Sequence, residues 1–151
     1  MRLWHKDLLR ALPQKQICSQ YRECCAIAKS IKENGTPNHI LVNKIMDYQI
    51  YDFIKYTALV IYEMKQRGYK VNPNCFDKYN LSDDKAGRLA FDMSKGYITN
   101  SYVFESWHND IYLRECLYNL EEKAMCGGIP LNEWKIIYDQ YKNKFELWSG
   151  E

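Results

Sequence analysis

A single carboxylate within a basic segment is the most distinctive candidate for chemistry in the sequence. Between Lys15 and Lys32, Glu23 is the only acidic residue, and it directly follows Arg22. Opposite charges are usually interspersed on a solvated helix face, so this isolation is unusual. Two interpretations stay open. Glu23 forms a local salt bridge of little energetic value, or it is a general acid–base or electrostatic stabiliser within a phosphate-binding surface.

The motifs of several other catalytic classes are missing from the sequence. There is no glycine-rich phosphate loop, no H-E-x-x-H and no G-x-S-x-G. His5, His39 and His108 lie far apart, and none of the six cysteines belongs to a C-x-x-C pair. We therefore expect no metal site, and we expect reduced thiols in a cytoplasmic protein.

Charge and aromatic content favour a nucleic-acid partner without requiring one. Residues 1–70 contain twelve basic and six acidic residues, a net charge of +6, whereas residues 71–151 contain nine and thirteen, a net charge of −4. A basic half can provide an electrostatic footprint for phosphates. The chain is 15% aromatic, which is typical either of a Tyr-rich core boundary or of a surface that stacks on bases.

Hydrophobic periodicity predicts the helices that would position these residues. Apolar residues recur at spacings of three and four in four long segments and one short one, which are 13–35, 49–67, 109–125, 132–147 and 83–92. The segments between them, including 36–48, 72–80 and 93–100, have the composition of connections. We therefore predict an all-α fold in one compact domain, residues 1–151, with three to four main helices. Charges interrupt every apolar run, so we expect neither a signal peptide nor a membrane span.

Four short motifs occur in an order that resembles the pyrimidine-dimer DNA glycosylase family. They are MRLW at 1–4, YRE at 21–23, GTPNH at 35–39 and KQRGYKV at 65–71, with a weaker match, LEEK, at 120–123. The resemblance covers residues 1–70 and is thin through the middle of the chain. The opening MRLW is most similar to the bacterial branch of the family.

This resemblance implies both a fold and a reaction. The N-terminal segment would thread between the first two long helices of an all-α domain. The N-terminal α-amine would attack C1′ of a damaged nucleotide in double-stranded DNA, form a Schiff base, release the base and allow backbone cleavage by β-elimination. Glu23 matches the assisting glutamate of the family, and Arg2, Arg22 and Lys123 match DNA-contacting residues. We expect a monomer that uses no metal or cofactor.

The sequence departs from the family at three positions that would contact DNA. A family histidine is replaced by Gln16, and two arginines are replaced by Ala26 and Asn119. His39 could replace one of these DNA contacts, or it could be a packed or helix-capping histidine.

The expected nucleophile is the α-amine of Met1, because Arg2 is too large for removal of the methionine to be expected. An α-amine has an ordinary pKa of about 7.7–8.0 and a lysine one of about 10.4, so more of an α-amine is neutral at neutral pH. Lys6 is the main competitor, since burial would make it nucleophilic.

A glycosylase must also unstack the duplex to reach the sugar, and aromatic side chains are the expected wedges. Candidates are Trp4, Trp107 and the segment 134–145, although the last is favoured as a packed amphipathic helix. The leading function is thus a DNA glycosylase with possible abasic-site lyase activity. The alternatives are a non-catalytic DNA-binding or protein-interaction module, and a lyase for abasic sites that excises no base.

Overall fold

The structure, a computed structural model, describes residues 1–95 and 103–148, in which six α-helices and no strand are found. They are α1 (Gln14–Asn34), α2 (Ile50–Gln66), α3 (Asn74–Asp77), α4 (Ala86–Ser94), α5 (Asp110–Met125) and α6 (Leu131–Trp148). Two 3-10 turns, Lys6–Leu8 and Asn43–Asp47, precede α1 and α2. The prediction of an all-α fold is confirmed, and the four long helices begin and end within one residue of their predicted bounds.

The region between α2 and α5 differs from its prediction. The segment 72–80 was predicted as a connection, but it contains α3, which buries Phe76 against Phe53 of α2 with ring centroids 5.5 Å apart. The short helix predicted over 83–92 begins three residues later, at Ala86, whose N–H donates to the Asp77 carboxylate at 2.9 Å. A side chain that is distant in sequence thus sets this helix start. Residues 96–100 of the predicted connection 93–100 lie outside the described residues.

The long helices have ends that the sequence explains. Gly35 follows α1 with φ of 77° and donates its N–H to the carbonyl of Ile31, which ends the helix in the left-handed conformation that glycine adopts at little cost. The Asn109 side chain accepts from the N–H of Tyr112 at 2.9 Å and caps α5.

One hydrophobic core joins these helices. It contains buried apolar side chains from every one of the six, and α2 packs against both α1 and α4. Full burial of a leucine, isoleucine or phenylalanine side chain contributes about 1.5–3 kcal/mol, so this core supplies most of the driving force for folding. None of the described helices combines the length and the apolar character that crossing a bilayer requires.

The N-terminal segment lies between α1 and α2, as the family resemblance implied. Leu3 and Leu8 are fully buried, so the segment is part of the core. The backbone N–H of Trp4 donates to Gln20 of α1, and the Trp4 carbonyl accepts from the hydroxyl of Tyr56 of α2. The first residue of the chain is therefore held against the middle of α1.

Candidate active site

Gln20 joins the N-terminal segment to Tyr56 and Glu23 through all four of its hydrogen-bonding positions. Its Oε1 accepts from the Trp4 N–H at 2.8 Å and lies 3.0 Å from the Tyr56 hydroxyl. Its Nε2 donates to the Arg2 carbonyl at 3.1 Å and to Oε2 of Glu23 at 3.2 Å. Gln20 is fully buried, and a buried amide with every donor and acceptor satisfied specifies one arrangement of its neighbours. It thereby sets the chain terminus relative to Glu23.

A cavity of about 230 Å³ opens where the terminus, α1 and α5 meet. It is lined by residues from four parts of the chain, which are Met1, Arg2, Trp4, Glu23, Leu41, Asn119 and Lys123. A second cavity, of about 350 Å³, shares Trp4, Glu23 and Lys123 with it. Glu23 therefore lines both cavities.

Glu23 is partly buried, and its surroundings shift the pKa of its carboxyl in opposite directions. Burial raises the pKa of the Glu23 carboxyl above its usual range. The positive α-amine of Met1 is the strongest influence in the opposite direction, followed by hydrogen bonds from the Arg2 N–H and Gln20 and by the charge of Lys123. A carboxyl with a raised pKa holds a proton more readily than an ordinary glutamate, which favours a role in acid–base chemistry.

Arg2 has inward-facing contacts as well as a place at the cavity wall. Its guanidinium carbon lies 5.8 Å from the centre of the Trp4 ring, a cation–π contact. Burial raises the pKa values of Cys116 and Tyr112, and the guanidinium of Arg2 partly offsets the effect on each. A guanidinium carries five N–H donors, so these contacts leave donors for a phosphate.

Lys123 and Asn119 reach the cavity from successive turns of α5. The last turn of α5 is closed by Gly128, whose N–H donates to the Lys123 carbonyl at 2.7 Å, and Gly127 adopts φ of 82°. The Lys123 side chain itself is exposed. The last turn of α5 thus places a cation at the cavity, where its charge acts on the Glu23 carboxyl.

Arg22 lies beside the cavity rather than in its lining. It is exposed, and its Nη2 donates to Ser19 Oγ at 3.0 Å. With Lys15 it lines a neighbouring cavity of about 590 Å³ between the start of α1 and the 127–133 region. Arg22 and Glu23 are adjacent in the YRE motif, but Glu23 faces the terminus and Arg22 faces outward.

His39 is also outside the cavity lining, where it shapes the turn before α2. Its Nδ1 accepts from the N–H of Leu41 at 3.2 Å, and its own N–H donates to Asn43 Oδ1 at 3.0 Å. The residue it orients, Leu41, does line the cavity.

Two expectations about other residues are altered by burial. Burial lowers the pKa of Lys6, the competing nucleophile, but Lys6 does not line either cavity at Glu23, and it interacts with Asp7, Glu105 and Asp52. The proposed wedges Trp4 and Trp107 are only 7% and 5% exposed, so neither projects from the surface, and that prediction is wrong for both.

Within residues 1–95 and 103–148, no three His, Cys, Asp or Glu side chains are grouped as a metal site requires.

Sequence reasoning assigned catalytic or DNA-binding roles to four of the residues that line the cavity, namely Met1, Arg2, Glu23 and Lys123. It also named two others, Trp4 as a wedge and Asn119 as a lost DNA contact. It missed Leu41 and the role of Gln20. The available signal for Gln20 was its position three residues before Glu23, which places both on one face of α1. The signal for Leu41 was the apolar pair that follows the turn motif GTPNH.

The comparisons with known proteins are consistent with this geometry. A family model described as pyrimidine dimer DNA glycosylase matches residues 1–77, slightly more than half of the 151 residues. That region contains the terminus, α1 and α2. No curated protein matches the chain, and no solved structure matches it.

Proposed function

Because the chain belongs to the pyrimidine dimer DNA glycosylase family, we propose that it removes pyrimidine photodimers, or a related damaged base, from double-stranded DNA with the α-amine of Met1 as nucleophile. The proposal includes cleavage of abasic sites by β-elimination. It extends to residues 1–151 as one domain that acts as a monomer, without metal or cofactor. The observation that carries it is that Met1 and Glu23 line one cavity, where the amine charge acts directly on the carboxyl.

The first half of the proposed reaction exchanges a base for an imine. The neutral amine of Met1 donates its lone pair to C1′, and the glycosidic C1′–N bond breaks with its electron pair leaving on the base. The new amino group then loses a proton to the Glu23 carboxylate. The C1′–O4′ bond opens, O4′ takes that proton from Glu23, and a protonated C1′ imine remains, while the base, which left as an anion, takes a proton from water. A shuttle of this kind needs a carboxyl with a raised pKa, which burial provides.

The second half breaks the backbone. The Glu23 carboxylate removes a proton from C2′, the electron pair forms the C2′–C3′ double bond, and the C3′–O bond breaks with its pair leaving on the phosphate. Water then hydrolyses the imine and returns the free amine. Arg2, Arg22 and Lys123 would hold the flanking phosphates by charge-assisted hydrogen bonds. These roles of the three cations agree with their positions in and beside the cavity.

Cleavage assays on three duplexes test the proposal. One duplex is irradiated with ultraviolet light, one contains an abasic site and one is intact, and Glu23→Gln protein serves as the inactive control. We expect nicking of the first two and none of the third. If only the abasic duplex is nicked, the protein is a lyase for abasic sites and excises no base. Binding without nicking of any duplex would contradict the proposal and favour a non-catalytic DNA-binding module.

A further inference from the structure

Two large apolar side chains are exposed beside the cavity. Ile40 is 87% exposed and Leu41 is 50% exposed, and Leu41 lines the cavity together with Met1 and Glu23. Single exposed apolar residues are ordinary on protein surfaces. An adjacent apolar pair beside a cavity that Arg2 and Lys123 also line is less ordinary. The two cations favour phosphates, and the apolar pair favours an apolar part of the same ligand, located between those phosphates.

The segment that carries this pair is held rigidly. Asn43 Oδ1 accepts from the His39 N–H at 3.0 Å, and the N–H groups of Val42 and Asn43 donate to the His39 carbonyl at 3.0 and 2.8 Å. Asn38 adopts φ of 57°, a left-handed conformation that asparagine tolerates.

The ends of the segment are anchored as well. Pro37 and Val42 are buried on either side of the pair, and Ser30 of α1 donates to the Thr36 carbonyl at 2.7 Å. The tip is therefore presented outward by a fixed framework.

We propose that Ile40 and Leu41 form a wedge that inserts between base pairs next to the target nucleotide and holds the duplex open while Met1 attacks C1′. The binding partner of this apolar tip is thus an unstacked base step of double-stranded DNA. This inference rests on the proposed function, since it takes the target sugar to lie in the cavity at Met1. It also assigns the wedge role that the buried Trp4 and Trp107 do not perform.

The physical basis is the replacement of lost base stacking by apolar contact. Ile and Leu are among the side chains that DNA-bending proteins insert between base steps, which costs a few kcal/mol of unstacking per step. A rigid tip loses little conformational entropy on insertion, because its backbone is already fixed. A wedge matters only where a stack must be opened, so its loss should affect duplex DNA and spare single strands.

The experiment compares Ile40→Ala, Leu41→Ala and the double variant with wild type and with Ile111→Ala. Ile111 is 66% exposed and lies eight and twelve residues before Asn119 and Lys123 on α5, about 12 and 18 Å along the helix, so it is a matched control. One substrate is an abasic site in a duplex, and the other is the same abasic strand alone. In a separate binding assay, 2-aminopurine is placed beside an uncleavable tetrahydrofuran site in a duplex, where its fluorescence rises on unstacking.

We expect Ile40→Ala and Leu41→Ala to lower duplex cleavage by about tenfold or more and to reduce the fluorescence rise. Ile40→Ala, whose side chain does not line the cavity, should change single-strand cleavage by less than about twofold, and Ile111→Ala should change none of these. Equal losses on duplex and single strand, or an undiminished fluorescence rise, would overturn the wedge. If wild type cleaves neither abasic substrate, the proposed function fails. The fluorescence assay involves no chemistry and still decides on the wedge.

Discussion

Replacing Gln20 by leucine should detach the N-terminal segment from Glu23 while filling nearly the same volume. Leucine removes the acceptor of the Trp4 N–H and the donor to the Arg2 carbonyl. The Tyr56 hydroxyl keeps a partner, because the Trp4 carbonyl lies 2.5 Å away. Two backbone groups of the segment are therefore left without their buried partner.

The cost of this change follows from those two groups. An unsatisfied buried polar group costs about 1–3 kcal/mol, so two cost about 2–6 kcal/mol, a large part of the roughly 5–15 kcal/mol of a typical domain. At about 2–4 °C per kcal/mol for a chain of this size, we expect Tm to fall by roughly 5–20 °C. If the segment instead moves outward to reach water, less stability is lost but Met1 is displaced. A displacement near 1 Å can lower a rate by about 10²-fold.

Single-turnover cleavage of an abasic duplex, at a temperature where every variant is folded, separates positioning from stability. Thr57→Val is the matched control, because Thr57 is fully buried and its side chain bonds the Phe53 carbonyl within α2 and the Cys24 thiol of α1 rather than the N-terminal segment. We expect Gln20→Leu to cleave about 10²-fold more slowly than this control. The lost hydrogen bond from Gln20 also favours the protonated form of Glu23, so the acidic limb of the pH–rate profile should shift to higher pH. A rate within about threefold of Thr57→Val and an unmoved acidic limb would refute the reasoning.

Four further predictions concern three single side chains. Glu23→Gln should lower abasic cleavage by about 10²–10⁴-fold, and a variant that retains more than about a tenth of the activity would contradict this. Burial raises the pKa of Glu23, so its ionised form destabilises the folded protein. The same variant should therefore be more stable than wild type at pH values above that raised pKa, and this gain should vanish as the pH falls below the ordinary carboxyl range. Thermal melts at several pH values would check this. Arg22→Ala should weaken binding to any duplex and reduce the salt dependence by about one unit, and an unchanged slope would confine Arg22 to its contact with Ser19. Asn109→Ala should lose about 1 kcal/mol of stability with its cap, seen as a Tm lower by about 2–4 °C, and leave cleavage unchanged; a loss of activity would show that α5 is positioned by its start.

The helices were predictable from the sequence because their signals are local. Periodic apolar stripes and caps such as Gly35 and Asn109 lie within one turn of the boundaries they determine. The start of α4 was not predictable in this way, because its first N–H is satisfied by Asp77, nine residues earlier. The four-residue α3 is too short to show periodicity.

The candidate site was predictable only in part. Glu23 was evident from its isolation among cations, and the family resemblance supplied Met1, Arg2 and Lys123. Gln20 could not be recognised, because the value of a buried amide depends on four partners that tertiary structure brings together. The burial of Trp4 and Trp107 was missed for a related reason, since aromatic residues suit both wet and dry positions.

Borohydride trapping on an abasic duplex, followed by peptide mapping of the adduct, tests the central claim most directly. Reduction of the imine converts the Schiff base into a stable secondary amine on the attacking residue. We predict one adduct, on the α-amine of Met1, and its loss when extra residues precede Met1. An adduct on Lys6 or Lys123, or undiminished trapping with an extended terminus, would contradict it.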